Sequence, residues 1–535
     1  MAALPGKPLI LAIAIIICMG VLGAASVDIG AHWDEPRLIS SIQTTVEYGW
    51  LVPRWYNYPS VCYDVGMLTA AFHGAVSGRH ASPVTEEALP AKRELLEFLG
   101  SDAFTWELRS VFFLLSCLTG LAVYYLASGL TGRNWVGLLA TLTLLGSWEF
   151  TYHAKWIAPD CLVALFASCS ILGQLGVLKA EKQGQRFLMV TISSIFAGLT
   201  VGTKYPGGIV LVPLLLAIGL SAKRHRSRPV LEVGLHALAL GLAATVFLVT
   251  TPGFFLDPQG FARDVRYELS HYGEGGHAGY SVAPGWGHFS KMSLYLAAVS
   301  LSENMVLAVA ASVSAAVGIV SLARTQPRIT AWFISLPLLY VVYMSSQRVM
   351  IVRNCMLLLP FLAVFAALGF GVIASAPRRR SFRVVLFCVF ASFVLFNLSM
   401  VTRSSLSILY PDTGSGSRAI AEHVTSSSPT LIYLSPGCRK LLAADPAAAH
   451  PNVAQSPEAA DRFLFLSDEV PGWRLYPANV PGRYRTIWSQ MREVNWDYYP
   501  SWTGRHRVLE VSASDPELEP LRKRVALATA ATDRE

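Results

Sequence analysis

Eleven apolar runs, separated by short polar breaks, dominate this sequence. A helix needs about 20 predominantly apolar residues to cross the hydrocarbon core of a bilayer. A bilayer can bury so many long runs, whereas a single globular core could not. The sequence therefore predicts an α-helical polytopic membrane protein with about 11 transmembrane helices. The predicted spans are residues 8–27, 108–130, 134–150, 158–178, 187–203, 206–222, 231–251, 304–323, 329–345, 355–376 and 383–402.

Composition and charge support the membrane class and exclude a nucleic-acid partner. The chain is 53% hydrophobic and 15% charged, whereas ordinary globular proteins are about 25% charged. A net charge of +8 would suit a nucleic-acid-binding protein. Many of the lysines and arginines, however, lie in short breaks between apolar runs, as at 179–186 and 378–383. Positive charge in short loops is typical of the cytoplasmic side of a membrane protein.

The basic breaks also predict the orientation of the chain. With a cytoplasmic N-terminus, every strongly basic short loop lies inside, and an odd number of spans leaves the C-terminus outside. We therefore expect a multi-pass membrane protein with a cytoplasmic N-terminus and an extracytoplasmic C-terminus. The expected location is a bacterial-type inner or plasma membrane, which we favour over a membrane facing the ER lumen. The predicted inside breaks are those near 131–133, 179–186, 221–229, 323–328 and 376–383.

This orientation places three long segments on the non-cytoplasmic face. The first outer loop covers 28–106 and the second covers 252–303, both within a transmembrane module of residues 1–402. Loops of this length are usually functional or independently folded. Residues 403–535 have an ordinary soluble composition with strand-like runs. They predict a small C-terminal α/β domain outside the membrane.

Two adjacent carboxylates, Asp34 and Glu35, follow the first span directly. Partial desolvation and a like-charged neighbour both raise the pKa of a carboxyl group, which suits a general base. A solvated pair that caps the next helix is the alternative.

A second acid, Asp160, lies at the outer mouth of the fourth predicted span, directly after Pro159. The dipole of the helix by itself would favour a carboxylate there. The same face also presents cations and one tyrosine at the ends of other spans, and this grouping favours an anionic ligand. Snorkelling anchors are the alternative for any one of the cations. These residues are Lys155, Lys204, Tyr205, Arg348 and Arg353.

The second outer loop contains acids and histidines that leave a divalent metal site open as an alternative. No HExxH or similar ligand spacing is present, so the sequence does not assign a metal. The residues concerned are His271, His277, His288, Asp257, Asp264, Glu268 and Glu274.

In order and sidedness, these motifs resemble the GT-C glycosyltransferases that use dolichyl- or polyprenyl-phosphate sugars. Among them are the protein O-mannosyltransferases of family 39 and the lipid A aminoarabinose transferase. The resemblance extends over about 10–402. Ser60 stands where the family usually has a second proline, and Asn354 where an aromatic residue is common. The matching elements are Asp34-Glu35, Tyr58-Pro59-Ser60, Arg109, Pro159-Asp160, Gly198 through Gly207, Arg353-Asn354 with Pro360, and Asp412-Thr413.

The resemblance implies a GT-C-type bundle that transfers a sugar from a polyprenyl-phosphate donor to an acceptor hydroxyl on the non-cytoplasmic face, with inversion. Asp34 would be the catalytic base, with Glu35 as its neighbour and Asp160 as the second acid of the site. The sugar stays open, as does the acceptor, which could be a lipid, a glycan or a protein. The residues implied to bind the donor phosphate are Lys155, Lys204, Arg348, Arg353 and Arg109, and those implied to position the substrate are Tyr58 and Tyr205.

Two other classes of protein share the polytopic pattern, namely secondary transporters and envelope polymer export proteins. Transporters usually place ionisable residues near the middle of the membrane and show repeat symmetry. Here the acids lie at the ends of spans, and the outer loops are unusually long. The sequence therefore favours the glycosyltransferase and keeps the other two as alternatives.

Overall fold

The chain forms two compact units in a computed structural model. One unit comprises Met1–Ala25 and Pro36–Thr402, and the other comprises Ser26–Glu35 and Arg403–Glu535. The described residues are 6–29, 32, 34–77, 89–225, 228–277, 280–375, 380–409, 413–427, 429–442, 449–469, 483–489, 492–494, 501–503, 507–516, 518–520 and 522–523.

The first unit is helical. Short 3-10 turns at Tyr205–Val210 and Val352–Leu358 lead into α11 and α18. The helices are α1 (Lys7–Ala25), α2 (Glu35–Tyr48), α3 (Val61–Ser77), α4 (Leu89–Leu99), α5 (Asp102–Cys117), α6 (Thr119–Thr131), α7 (Asn134–Gly146), α8 (Trp148–Ala154), α9 (Pro159–Lys179), α10 (Gln183–Thr203), α11 (Leu211–His225), α12 (Pro229–Thr250), α13 (Gly253–Leu256), α14 (Pro258–Ser270), α15 (Trp286–Ala298), α16 (Met305–Thr325), α17 (Pro327–Ser345), α18 (Leu359–Ser375) and α19 (Arg380–Leu409).

Ten helical segments in the described part of the chain are long and apolar enough to cross a membrane. They are α1, α5 with α6, α9, α10, the turn at Tyr205 with α11, α12, α16, α17, the turn at Val352 with α18, and most of α19. The polytopic helical fold is thereby confirmed. One of the eleven predicted spans, 134–150, is not among these ten. It is instead the 13-residue helix α7, which ends at Gly146. Ser147 adopts an extended conformation, so the helix stops and α8 begins anew.

Small residues bring the central helices together. An added Cβ at Gly198 of α10 would lie 2.6 Å from the Ala243 carbonyl oxygen of α12. An added Cβ at Gly173 of α9 would lie 3.0 Å from Ser193 of α10. Close approach through small residues is the usual way in which membrane helices associate. Larger side chains at these two glycines would push α10 away from its neighbours.

One basic residue of the predicted loops is part of the core instead. Arg186 lies within α10 and is fully buried. Its two Nη atoms each donate a 2.6 Å hydrogen bond to Glu232 of α12. This bidentate geometry satisfies a buried guanidinium, so Arg186 links α10 to α12.

The second unit is a small mixed α/β domain, as the sequence predicted. Its main sheet has the strand order β1-β2-β6-β3, with β1 and β2 parallel and the other pairs antiparallel. Its elements are α20 (Thr413–Ser426), β1 (Ile432–Leu434), α21 (Pro436–Leu442), β2 (Arg462–Leu466), β3 (Arg485–Ser489), β4 (Arg492–Val494), β5 (Ser501–Thr503) and β6 (Arg507–Ser512).

Alternation along β2 explains why this sheet is buried on both faces. Phe463 and Phe465 join one apolar cluster, whereas Leu464 and Leu466 join the other. Successive side chains of a strand point to opposite faces. The run RFLFL therefore predicts a central strand of the sheet, and β2 lies between β1 and β6.

Candidate active site

Three polar residues lie where helices of the first unit end. Asp160 is in the first turn of α9, after Ala158 in an extended conformation and Pro159 at the first helical position. Proline is tolerated there because the first N–H groups of a helix have no partner within it. Lys204 is an extended residue between α10 and the turn at Tyr205, and Arg353 lies in the turn that precedes α18.

These three residues form one buried cluster. Lys204 Nζ donates hydrogen bonds to Asp160 Oδ1 at 2.5 Å and to Asn354 Oδ1 at 2.6 Å. Arg353 Nε lies 3.7 Å from the other carboxylate oxygen, Asp160 Oδ2. All four side chains are buried. Removing one member of a buried ion pair is costly because the other charge stays desolvated.

The cluster retains unused hydrogen-bond donors. A lysine ammonium group has three N–H donors, and Lys204 uses two of them, for Asp160 and Asn354. The Asn354 Nδ2 amide group is buried and has no hydrogen-bond partner among the residues that the structure describes. Buried donors normally find acceptors, so an acceptor-only ligand such as a phosphate group would satisfy both.

The first outer loop contacts this cluster through its tyrosines. Arg353 Nη2 donates a 3.1 Å hydrogen bond to the Tyr58 hydroxyl oxygen. The Tyr205 hydroxyl donates to the Tyr56 carbonyl oxygen at 2.8 Å, and the Tyr56 N–H donates to Asp264 Oδ2 of α14. Tyr58 therefore contacts the cluster directly, whereas Tyr205 holds the backbone of the first outer loop through a hydrogen bond.

A buried carboxyl group that the sequence analysis did not select lies on α8. The Tyr295 hydroxyl of α15 donates to Glu149 Oε2 at 2.7 Å, and His153 Nε2 lies 3.6 Å from the same oxygen. Burial, together with the adjacent Glu149, raises the pKa of Tyr295 well above its ordinary value. The phenol therefore stays protonated and acts as a donor. An acid within a largely apolar stretch is the signal that points to Glu149 in the sequence.

Replacing Tyr295 by Phe removes the hydroxyl that donates to Glu149 Oε2. Leaving a buried acceptor unsatisfied costs about 1–3 kcal/mol. We expect the free energy of unfolding, measured by SDS titration in mixed micelles, to fall by that amount. The control is Tyr267→Phe, because Tyr267 is 55% exposed. Equal stability of the two variants would show that the Tyr295–Glu149 contact contributes nothing.

Two predicted phosphate ligands, Arg109 and Lys155, pack against aromatic rings. The Arg109 guanidinium carbon lies 4.7 Å from the centre of the Trp156 ring, and Lys155 Nζ lies 6.0 Å from that of Phe113. Burial lowers the pKa of Lys155 to about 7, although the adjacent Cys117 acts in the opposite direction. Burial therefore disfavours the charged form of the Lys155 amine.

The predicted ligand Arg348 is exposed, and its guanidinium is bound outside the cluster. Its Nη1 donates a 3.4 Å hydrogen bond to the Glu274 carbonyl oxygen of the second outer loop. The Arg348 N–H donates to the Tyr272 carbonyl oxygen at 2.8 Å. Burial raises the pKa of Tyr272, while Lys204 and Arg353 act in the opposite direction. The second outer loop therefore brings the Tyr272 phenol, rather than the Arg348 guanidinium, close to the positive charges of Lys204 and Arg353.

Asp34 and Glu35 belong to the second compact unit and form a local turn. Glu35 is buried and accepts a 3.1 Å hydrogen bond from the His32 N–H through Oε2, at the start of α2. Asp34 Oδ2 lies 3.9 Å from His32 Nδ1. Glu35 thus stabilises the turn, while Asp34 is 15% exposed. Asp412, which the sequence analysis also singled out, lies outside the described residues.

The acids and histidines of the second outer loop that the structure describes make other contacts. Among the described residues, no group of three or more histidine, cysteine or acidic side chains is placed to hold a metal ion. Asp264 accepts hydrogen bonds from the Tyr56 N–H and from Arg263 Nε, and His288 Nδ1 contacts the Gln347 carbonyl oxygen. These side chains serve the packing of the loop.

Part of the sequence matches a family of known proteins. Residues 94–253 match the family described as dolichyl-phosphate-mannose-protein mannosyltransferase. The matched stretch contains Asp160 and Lys204 and ends before Arg353. No curated protein matches the sequence.

Solved structures resemble the chain over 49% to 95% of its length. ArnT from Cupriavidus metallidurans, bound to undecaprenyl phosphate, has a TM-score of 0.51 and 16% sequence identity, covering 95% of this chain and 98% of that one. AglB from Archaeoglobus fulgidus, an oligosaccharyltransferase in complex with an inhibitory peptide and a dolichol-phosphate, has a TM-score of 0.47 and 12% identity, covering 84% of this chain and 65% of that one. The protein O-mannosyltransferase Pmt1-Pmt2 complex of S. cerevisiae, bound to the sugar donor, has a TM-score of 0.36 and 12% identity, covering 49% and 35%. The likeness to ArnT shows that the chain shares the fold of that protein, as the resemblance drawn from its sequence implied.

Proposed function

We propose that the chain is a membrane glycosyltransferase that takes a sugar from a polyprenyl-phosphate-linked donor. In this proposal the acceptor is a hydroxyl group on the non-cytoplasmic face, and the anomeric configuration is inverted. The match to the mannosyltransferase family over 94–253 supports the activity. The likeness to ArnT supports the fold.

The unused donors of the buried cluster are the observation that carries the proposal. The third N–H of Lys204 and the Asn354 amide are adjacent, since Lys204 Nζ lies 2.6 Å from Asn354 Oδ1. The Arg353 guanidinium adds positive charge beside them, and arginine suits phosphate contacts. A phosphate monoester or diester supplies the oxygen acceptors and the negative charge that such a site lacks.

The cluster would act mainly on the leaving group. As the acceptor oxygen attacks the anomeric carbon, the bond from that carbon to the phosphate oxygen breaks, and the electron pair leaves with the polyprenyl phosphate. Lys204, Asn354 and Arg353 would stabilise the negative charge that develops there. Asp160 holds the Lys204 ammonium in place through the 2.5 Å hydrogen bond.

Asp34 is the proposed general base that takes the proton of the acceptor hydroxyl as the new bond forms. Glu35 is its positioning neighbour, because the hydrogen bond from the His32 N–H fixes the turn. Attack from the face opposite to the leaving phosphate inverts the configuration. General-base assistance of this kind contributes about 10²–10⁴-fold to the rate.

The proposal identifies the sugar and the acceptor only by their chemical class. The donor sugar is a hexose or pentose, and the acceptor is a lipid, glycan or protein hydroxyl. Tyr58 and Tyr205 are the proposed substrate-positioning residues, because Tyr58 contacts Arg353 and Tyr205 fastens the loop beside it.

Radiolabel transfer in proteoliposomes tests the activity. The purified chain would be given a panel of polyprenyl-phosphate sugars with envelope lipids, glycans and peptides as acceptors. We expect transfer from at least one donor, with stoichiometric release of polyprenyl phosphate. Solute flux across the same liposomes, without transfer from any donor, would instead identify a transporter.

A further inference from the structure

A groove of about 580 Å³ lies between α16 and α18, on the membrane-spanning part of the first unit. Its apolar walls are Val313, Val317, Val320 and Val372. The α16 residues follow one another at spacings of three and four, so they form one stripe along the helix. Val313 and Val320 are exposed, at 58% and 49%. The stripe therefore faces the surroundings of the bundle rather than its core.

Close packing on the other side of the helix pair explains why the groove exists. An added Cβ at Gly318 of α16 would lie 2.2 Å from the Phe365 carbonyl oxygen of α18. The Ser314 hydroxyl donates a 2.9 Å hydrogen bond to the Ala366 carbonyl oxygen. The two backbones meet along this line, and the short valine side chains beside it leave a channel open.

The groove is polar at one end only. Ser321, Arg324 and Thr325 line it in the last two turns of α16. Arg324 is exposed and makes no hydrogen bond or ion pair within the described part of the chain. A cation in the last turn also suits the dipole of its own helix. The dipole does not account for an apolar channel that ends at the same guanidinium.

This end of the groove is remote from the cluster around Lys204. α17 begins at Pro327, beside Arg324, and ends at Ser345, from which the chain continues to Arg353. A helix of this length spans about 28 Å. The polar end of the groove and the candidate active site therefore lie at opposite ends of the helix.

One further cation and a neutral amide donor lie near the groove's polar end. Arg133, after α6, donates through Nη1 to Ser375 Oγ at the end of α18, at 2.6 Å. Gln326 Nε2, next to Thr325, donates to the Leu130 carbonyl oxygen. Basic pockets between membrane helices favour lipids with anionic headgroups.

We propose that this groove binds one anionic phospholipid. Its phosphate contacts Arg324, Ser321 and Thr325, and one acyl chain lies along the valine stripe. The occupant is a lipid because the groove lies on membrane-spanning helices. The lipid is anionic because Arg324, the only cation that lines the groove within the described residues, lies at the polar end, where the headgroup would be. The inference does not depend on the proposed transferase activity.

Native mass spectrometry of the full chain in detergent tests the proposal, with phosphatidylglycerol and phosphatidylcholine as probes. We expect one phosphatidylglycerol to bind with at least tenfold preference, because the choline cation of phosphatidylcholine offsets the charge of its phosphate and is repelled by Arg324. Arg324→Gln should weaken phosphatidylglycerol binding about tenfold. Val317→Trp should fill the channel and remove the bound lipid.

The matched control is Arg328→Gln, since Arg328 is exposed near the same end but does not line the groove. We expect it to change the affinity less than twofold. Equal binding of both phospholipids, or an equal loss in Arg328→Gln, would overturn the proposal. The proposal would also be overturned if undecaprenyl phosphate, and no other lipid, displaced phosphatidylglycerol from the protein with Arg324 in place. A dimer that forms in place of the lipid adduct would overturn it as well.

Discussion

Lys204→Met is expected to weaken the binding of polyprenyl phosphate about 100-fold and to reduce sugar transfer by at least as much. The substitution removes the ammonium whose third N–H is free for the phosphate. Hydrogen bonds to charged groups contribute about 1.5–3 kcal/mol each, and 1.4 kcal/mol is tenfold in affinity. Titration of the purified protein with polyprenyl phosphate measures the loss of affinity directly.

The single variant also leaves the buried Asp160 carboxylate without its 2.5 Å partner, which by itself costs about 3–5 kcal/mol of stability. The double variant Lys204→Met/Asp160→Asn removes both charges and separates folding from binding. We expect it to regain most of the stability and none of the affinity. Lys440→Met, at an exposed lysine of the second unit, is the control. Normal affinity in a folded double variant would remove Lys204 from the phosphate site.

Asp34→Asn is expected to slow sugar transfer by about 10²–10⁴-fold, the contribution typical of a general base. The amide keeps the shape of the side chain, and the turn is held independently by Glu35 and the His32 N–H. We therefore expect kcat to fall while the affinity for polyprenyl phosphate and the melting temperature stay unchanged. Rate measurements at saturating donor give the comparison.

Two further variants sharpen the interpretation of Asp34. Glu47→Gln, an exposed acid later in α2, should leave every parameter unchanged. Glu35→Gln should affect stability as well as rate, because Glu35 is buried and bonded to the backbone. A wild-type rate in Asp34→Asn would exclude it as the base, yet it would leave the phosphate site around Lys204 standing.

Hydropathy predicts most of the fold because the bilayer imposes a length on each apolar run. The failure at 134–150 has a local cause. The run is apolar enough, but Ser147 turns the chain out of the helix and caps α8 through its hydroxyl. Hydropathy averages over such a cap. In the same way, Arg186 belongs to a basic stretch by sequence, and its burial is explained by partners 32 to 46 residues away, namely Ile218, Ser221 and Glu232.

The candidate site was predictable where residues lie at the ends of spans. Asp160, Lys204 and Arg353 stand at such ends, and the structure brings them into contact. Asn354 appeared in the sequence only as a departure from a family pattern, but its carboxamide accepts from Lys204. Arg348 has the same charge and is only five residues from Arg353, yet it is exposed. The direction of the Arg348 side chain depends on backbone hydrogen bonds between Arg348 and the second outer loop, which no local sequence pattern reveals.

The break at Ser147 also has a mechanical consequence. Its hydroxyl donates to the Ser300 carbonyl oxygen at 2.6 Å, and two residues later Glu149 accepts from Tyr295. These two hydrogen bonds, so close together, hold α8 against the end of α15, so the two helices must move together. The positive φ angles of the second outer loop lie elsewhere, at Gly276 and Gly285, with values of 72° and 78° that suit glycine, so the contacts of Ser147 and Glu149 hold a segment without such backbone conformations.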